Sequence, residues 1–225
     1  MNGTLTPRNN QRLRLFETYR ARGSRNNNLF AVYSVKVDQD FVLPGDRQLI
    51  HWIYYLEIDH SVTSFDFIEC EDDKSNYQWM VDVRQLDGQI ITHQFENQKD
   101  ESRKGQSKSD RISNIDLLQN SMRIITDNDI RSVIKISTRW LRPIGFATCL
   151  RNYEYTNLSI QLLEYANCNK QGSIGSVLSS FECSQYEQAV LLGLVARLAI
   201  KGYFYLDLTE RGFGYDTPWM LYPER

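Results

Sequence analysis

The sequence predicts an α/β fold with a mixed sheet through about residue 150, followed by a smaller α+β module. Three observations carry this. Residues 77–83 and 90–98 are β-rich runs on either side of Leu86-Asp87-Gly88, and an Asp-Gly pair between such runs signals a hairpin. Leu49, Trp52, Ile53 and Leu56 recur at helical spacing, so one face of that helix packs on a sheet. Beyond residue 150 helical patterns dominate, up to Gly202 and a short β-rich run at 203–208.

In chain order, residues 1–28 form a polar, Asn-rich basic arm, with a short basic helix possible at 11–21. Residues 29–37 have strand character. Pro44-Gly45 breaks the chain, and Asp46 caps the helix that runs on to Glu57. A strand at 64–70 and an acidic turn at 71–75 lead into the hairpin. Residues 99–110 are strongly polar, 114–120 read as helix and 122–126 as strand, and Asp127-Asn128-Asp129 caps the next helix. The domain reading is therefore arm 1–28, core 29–150 and C-terminal module 151–225. In that module the expected pieces are a helix at 158–166, a turn at 172–175, a short helix at 176–180 and a longer one at 186–200. Gly202 ends the last of these. A strand at 203–208, the Arg211-Gly212-Phe213-Gly214 loop and a further extended piece complete it. Three helices, a strand and a glycine-rich loop resemble a winged helix. The longest helix contains Ala189-Val190-Leu191-Leu192-Gly193-Leu194, apolar nearly all round, so it is buried and does not lie open in a DNA groove.

The chain has 225 residues, 41% hydrophobic and 12% aromatic, which describes a globular protein with ample core material. No run approaches a membrane span and the polar start is no signal peptide, so a cytoplasmic protein without a membrane partner is expected. Cys70, Cys149, Cys168 and Cys183 are too scattered for a disulfide framework or zinc knuckle and read as buried thiols. A net charge of −2 hides segregation. Residues 1–36 hold seven bases and one acid, residues 37–101 four bases and fifteen acids, and residues 102–151 ten bases and four acids. Basic flanks around an acidic centre suit phosphate contacts at the rim and a metal in the middle; ordinary solvated faces would carry the same charges. DNA contact is expected along the basic arm and the 103–151 segment, with Arg8, Arg12, Arg14, Arg22, Arg25, Lys36, Arg103, Lys104 and Lys108 as the named candidates.

The acidic centre coincides with the hairpin. On the first strand Gln78, Met80 and Asp82 share a face; on the second Gln94, Glu96 and Gln98 do. A magnesium-dependent nuclease of the PD-(D/E)XK kind needs a carboxylate from the first strand and another acid from the second. A Lys or Gln two residues further on helps to position the attacking water. Asp82 with Glu96 and Gln98 has that spacing, with Asp82 and Glu96 as Mg²⁺ ligands, although lysine is absent from the third position.

Several phrases, in order over residues 24–217, resemble TnsA, the endonuclease subunit of heteromeric transposons. They are Ser24-Arg25-Asn26 with Tyr33-Ser34-Val35-Lys36, then Trp52-Ile53-Tyr54-Tyr55-Leu56-Glu57-Ile58-Asp59. Tyr77 with Asp87-Gly88 follows, then Ile125-Thr126-Asp127 with Asp129-Ile130-Arg131, and finally Lys201-Gly202-Tyr203 with Leu206-Asp207-Leu208. The resemblance implies a restriction-endonuclease-like core with a winged-helix-like module, double-stranded DNA as ligand, and as partners a TnsB-like transposase and its ATPase regulator. It also implies an acid opening the first helix, where this chain has Gly45-Asp46. It implies Tyr-x-x-Asp on the first hairpin strand, where Tyr77 leads to Met80. On the second strand it implies an acid or Gln followed two residues on by Lys, where Gln94 is followed by Glu96. In this register two of three groups are replaced; sliding both strands by two residues restores Asp82, Glu96 and Gln98. Hairpin geometry favours the first register. The expectation is therefore a DNA-binding transposition subunit with an impaired or inactive nuclease site. The alternative is an active Mg²⁺-dependent endonuclease, acting at transposon ends or in restriction-type defence, that uses Asp46, Asp82, Glu96 and Gln98 or Gln94. Tyr203, Tyr205, Phe213, Tyr215 and Trp219 are expected either to anchor the partner or to fill the module's own core.

Overall fold

The computed structural model describes residues 29–44, 47–70, 78–95, 121–181, 186–210 and 212–222. It is mixed α/β, with nine strands and five helices among the described residues. Two compact units result: one joins the chain up to His60 with Val133–Arg225, and the other is Ser61–Ser132. The N-terminal hairpin and first helix thus fall in one unit with the C-terminal helices.

The first unit begins with the antiparallel pair β1 (Leu29–Ser34) and β2 (Gln39–Pro44), then α1 (Arg47–Ile58). Leu49, Trp52, Ile53 and Leu56 of α1 are almost completely buried, as their spacing predicts. The turn between β1 and β2 is fixed by Glu57. Its carboxylate accepts from the Ser34 hydroxyl at 2.5 Å and from the Val35 and Lys36 backbone N–H groups at 2.5 and 2.9 Å. The Lys36 ammonium donates to the carbonyls of Leu56 (2.8 Å) and Asp59 (2.6 Å), placing a cation on the negative end of α1. Asp38 closes the turn at φ 54°, a left-handed conformation that Asp tolerates, and accepts from the Tyr33 hydroxyl.

The rest of this unit comprises most of α2 (Asp127–Cys149), then α3 (Thr156–Asn169), β7 (Gln171–Ser173), α4 (Ile174–Ser180), α5 (Gln188–Ile200), β8 (Phe204–Leu206) and β9 (Pro218–Leu221). Its small sheet has the order β7-β9-β8, antiparallel throughout. The expected turn at 172–175 is instead strand β7 running into α4, whose start is closed by a Ser173–Ser176 capping box. Gly202, at φ 81°, ends α5 in a Schellman arrangement: its N–H donates to the Ala199 carbonyl and that of Tyr203 to Leu198. Leu191, Leu194, Val195, Ala196 and Leu198 of α5 are buried in one cluster with Trp140, Ile144, Leu158, Leu162, Phe204, Phe213 and Trp219.

Gly193 sits where α5 meets the end of α2. A Cβ there would lie 2.6 Å from Leu150 Cδ1 and 2.9 Å from the Phe146 carbonyl oxygen. Gly193→Ala should therefore lower stability by about 1–3 kcal/mol, the range for overpacking. This outweighs the ~1 kcal/mol that alanine gains in an open helix. Urea denaturation would check it; a stabilised variant would show that the two helices part freely.

The second unit is a four-stranded sheet, β3 (Val62–Cys70), β4 (Gln78–Gln85), β5 (Ile90–Phe95) and β6 (Ser121–Ile125), in that order. β4 is antiparallel to both neighbours and β6 is parallel to β5. The hairpin turn forms at the predicted place: the Gly88 N–H donates to the Gln85 carbonyl, the Gln85 N–H donates to Gln89, and Gly88 takes φ 84°. Phe65, Val81, Val83, His93 and Ile125 are buried on one face. The start of α2 corrects the sequence reading. Thr126 is the N-cap, one residue before the acidic run: its hydroxyl accepts from the Asp129 N–H at 3.3 Å, and the Asp129 carboxylate accepts from the Thr126 N–H at 3.0 Å. Asp129 is held below the ordinary aspartate range first by the Thr126 hydroxyl, which donates to its carboxylate at 2.6 Å, then by the Thr126 N–H, aided by Arg123.

Candidate active site on the four-stranded sheet

Strand register decides which side chains meet. β4 and β5 pair Met80 with Gln94, Val81 with His93 and Asp82 with Thr92. Directly opposed residues share a face, so Met80 and Gln94 stand side by side, and Asp82 stands beside Thr92. The next strands extend both rows: Asp66 opposes Asp82 and Ile68 opposes Met80, while Met122 opposes Thr92 and Ile124 opposes Gln94. Below this face Val81 and Val83 are wholly buried, which fixes the parity of β4.

This is the first of the two registers. In it the half-buried thioether of Met80 stands beside the half-buried amide of Gln94. Asp82 lies one row away, half-buried, and its carboxylate accepts from the Thr92 hydroxyl at 2.6 Å. Sequence reasoning did not single out Asp66, the cross-strand neighbour of Asp82; its carboxylate accepts from the Phe67 N–H at 2.8 Å. A hard divalent cation takes oxygen ligands and gains nothing from a thioether. At the Met80–Gln94 row the described side chains therefore offer one amide oxygen and do not supply the donor set that Mg²⁺ requires. Beside Met80 and Gln94 the face continues as the exposed Met122 and Ile124, which further lowers its polarity.

Asp46, Glu96 and Gln98 lie outside the described residues, as do Arg8, Arg12, Arg14, Arg22, Arg25, Arg103, Lys104 and Lys108. Among the candidate DNA contacts only Lys36 is described, and its ammonium is turned onto the end of α1. The aromatic group after Gly202 divides. Phe213 and Trp219 are buried in the core, Trp219 donating from its indole N–H to the Ser173 carbonyl at 3.0 Å, whereas Tyr203, Tyr205 and Tyr215 are exposed. Cys149 and Cys168 are exposed, contrary to the expectation of buried thiols. Among the described residues no helix is long and apolar enough to cross a membrane.

Comparison with protein-family models, curated proteins and solved structures gives no match to this chain.

Proposed function

We propose that this chain is a DNA-binding subunit of a TnsA-like DNA transposition machinery, with a restriction-endonuclease-like core whose cleavage is impaired or lost. The observation that carries the reading is the pairing of Met80 with Gln94, which agrees with the register in which the carboxylate implied by the resemblance is replaced. A helix followed by an antiparallel hairpin in a mixed sheet agrees with a nuclease-like core. Three helices followed by β8, a loop and β9 agree with a winged-helix-like module at the C-terminal end. Because α5 is buried, such a module does not read a DNA groove with that helix. Contact with a TnsB-like transposase or its ATPase regulator is better served by Tyr203, Tyr205 and Tyr215. The proposed setting is cytoplasmic.

The test is a gel shift of end-labelled duplex with the whole chain in Mg²⁺. The reading expects a retarded complex from which strands are recovered at full length. Shortened strands would favour the active-endonuclease alternative, and absence of any complex would remove the DNA-binding role.

A further inference from the structure

The nine candidate DNA contacts read from sequence leave out a feature that appears only when α2 is seen as a helix. Its middle carries Arg131, Lys135, Arg139 and Arg142, and no carboxylate occurs between Ile130 and Cys149. Val133, Ser137, Trp140, Ile144 and Ala147 form its buried face. Lys135, Thr138 and Arg142 are exposed and fall on one stripe opposite that face, at the i, i+3 and i+7 positions of the helical repeat.

We propose that Lys135, Thr138 and Arg142 form a docking stripe for the phosphate backbone of duplex DNA. The proposal rests on the reading of this chain as a DNA-binding protein, and it assigns that binding to a surface. Seven residues of α-helix rise about 10 Å. The stripe is therefore long enough to reach more than one phosphate of a strand, whose charges rise ~3.4 Å apart along the duplex axis. Two cations supply charge, and the Thr138 hydroxyl is a neutral donor of the kind that positions phosphate oxygens. The Arg142 guanidinium lies over the Phe146 ring, 5.9 Å from its centroid, which restricts its freedom before any ligand arrives. Arg139 is set apart. Asp207 is held below the ordinary aspartate range first by hydrogen bonds from Thr209 and then by the Arg139 guanidinium, so that charge is partly answered within the protein.

Charge pattern also selects among anionic partners. A helix that lies in a membrane surface has an apolar strip at the centre of its outward face. Here the centre is Lys135, Thr138 and Arg142, and the exposed Ile134, Ile136 and Leu141 flank it on both sides. That arrangement fits a rod of phosphates better than a lipid surface.

The experiment is fluorescence anisotropy of a labelled duplex with the full chain over a series of KCl concentrations. It compares the unmodified protein, the double variant Lys135→Gln with Arg142→Gln, and Lys170→Gln as an exposed control on another element. Each lost phosphate contact lowers the salt slope by about 0.9, so the double variant should lose about two units of slope and bind on the order of tenfold more weakly at ~0.15 M salt. Lys170→Gln should match the unmodified protein, and all three should share one melting temperature. Equal slopes for the double variant and the unmodified protein would overturn the stripe while leaving DNA binding intact. No duplex binding by the unmodified protein at low salt would overturn both. Anionic phosphatidylserine vesicles held more tightly than duplex would assign the helix to membranes and overturn the proposal.

Discussion

Glu57→Ala is expected to destabilise the protein by about 3–5 kcal/mol, the range for removing one partner of a buried charged network. Glu57 is fully buried and its two oxygens accept from one hydroxyl and two backbone N–H groups. Without them the turn between β1 and β2 holds unsatisfied donors, each costing about 1–3 kcal/mol. Glu57→Gln keeps one acceptor oxygen and should cost less. The pH dependence has a definite sign. Burial raises the Glu57 carboxyl above its ordinary value of 4.5, against the lowering effect of Ser34, Lys36 and Val35. The folded state then holds a proton that the unfolded state has released, so stability falls as pH rises from about 4.5 through the folded value. Relative to Glu57→Gln, the unmodified protein should therefore be favoured more at pH 5 than at pH 8 in urea denaturation. A constant difference between the two would show that Glu57 is ionised throughout.

Truncation after Gly202 is expected to unfold the unit that contains α5. The removed segment holds Phe204, Leu206, Leu208, Phe213 and Trp219, all buried with Leu191, Leu194 and Trp140. At about 1.5–3 kcal/mol for each buried large side chain, the loss reaches the whole stability of an ordinary domain. Trp219→Ala alone should cost about 3–5 kcal/mol, because it empties a site between Tyr165 and Phe204 and removes one of the two donors to the Ser173 carbonyl, the other being the Ser176 hydroxyl. Circular dichroism of the truncated chain would check the first expectation, and a retained cooperative transition would refute it. Partner binding is better probed with Tyr203→Ala and Tyr205→Ala, which remove exposed rings and leave the core intact.

What could be read from the sequence follows from where each signal is stored. The hairpin, the end of α5 and the buried face of α1 were legible because Asp87-Gly88, Gly202 and the Leu49–Trp52–Ile53–Leu56 spacing are local. β7 was not, since three residues with a glycine become a strand only by pairing with β9 far along the chain. The cap of α2 was misplaced by one residue because an acidic run and a Thr-x-x-Asp box overlap, and only the hydrogen bonds separate them. Trp219 and Tyr215 look alike as interface anchors, yet one is core and the other surface; alternation places Trp219 inward only once β9 is known to pair, while Tyr215 lies in the turn before β9. The cations of α2 were counted within a segment total, and their grouping on one stripe needs the helical period. Glu57 was read as the end of a helix, because its three donors come from residues more than twenty positions earlier.

The proposal of an impaired site turns on Met80, which stands beside Gln94 where the TnsA resemblance implies a carboxylate. Relaxation of supercoiled plasmid by the whole chain in Mg²⁺ or Mn²⁺, measured alongside Asp82→Ala, tests it most directly. The account predicts that the plasmid stays supercoiled with both proteins, under conditions where duplex is bound. Metal-dependent nicking by the unmodified chain that disappears in Asp82→Ala would contradict it and establish the shifted set built on Asp82.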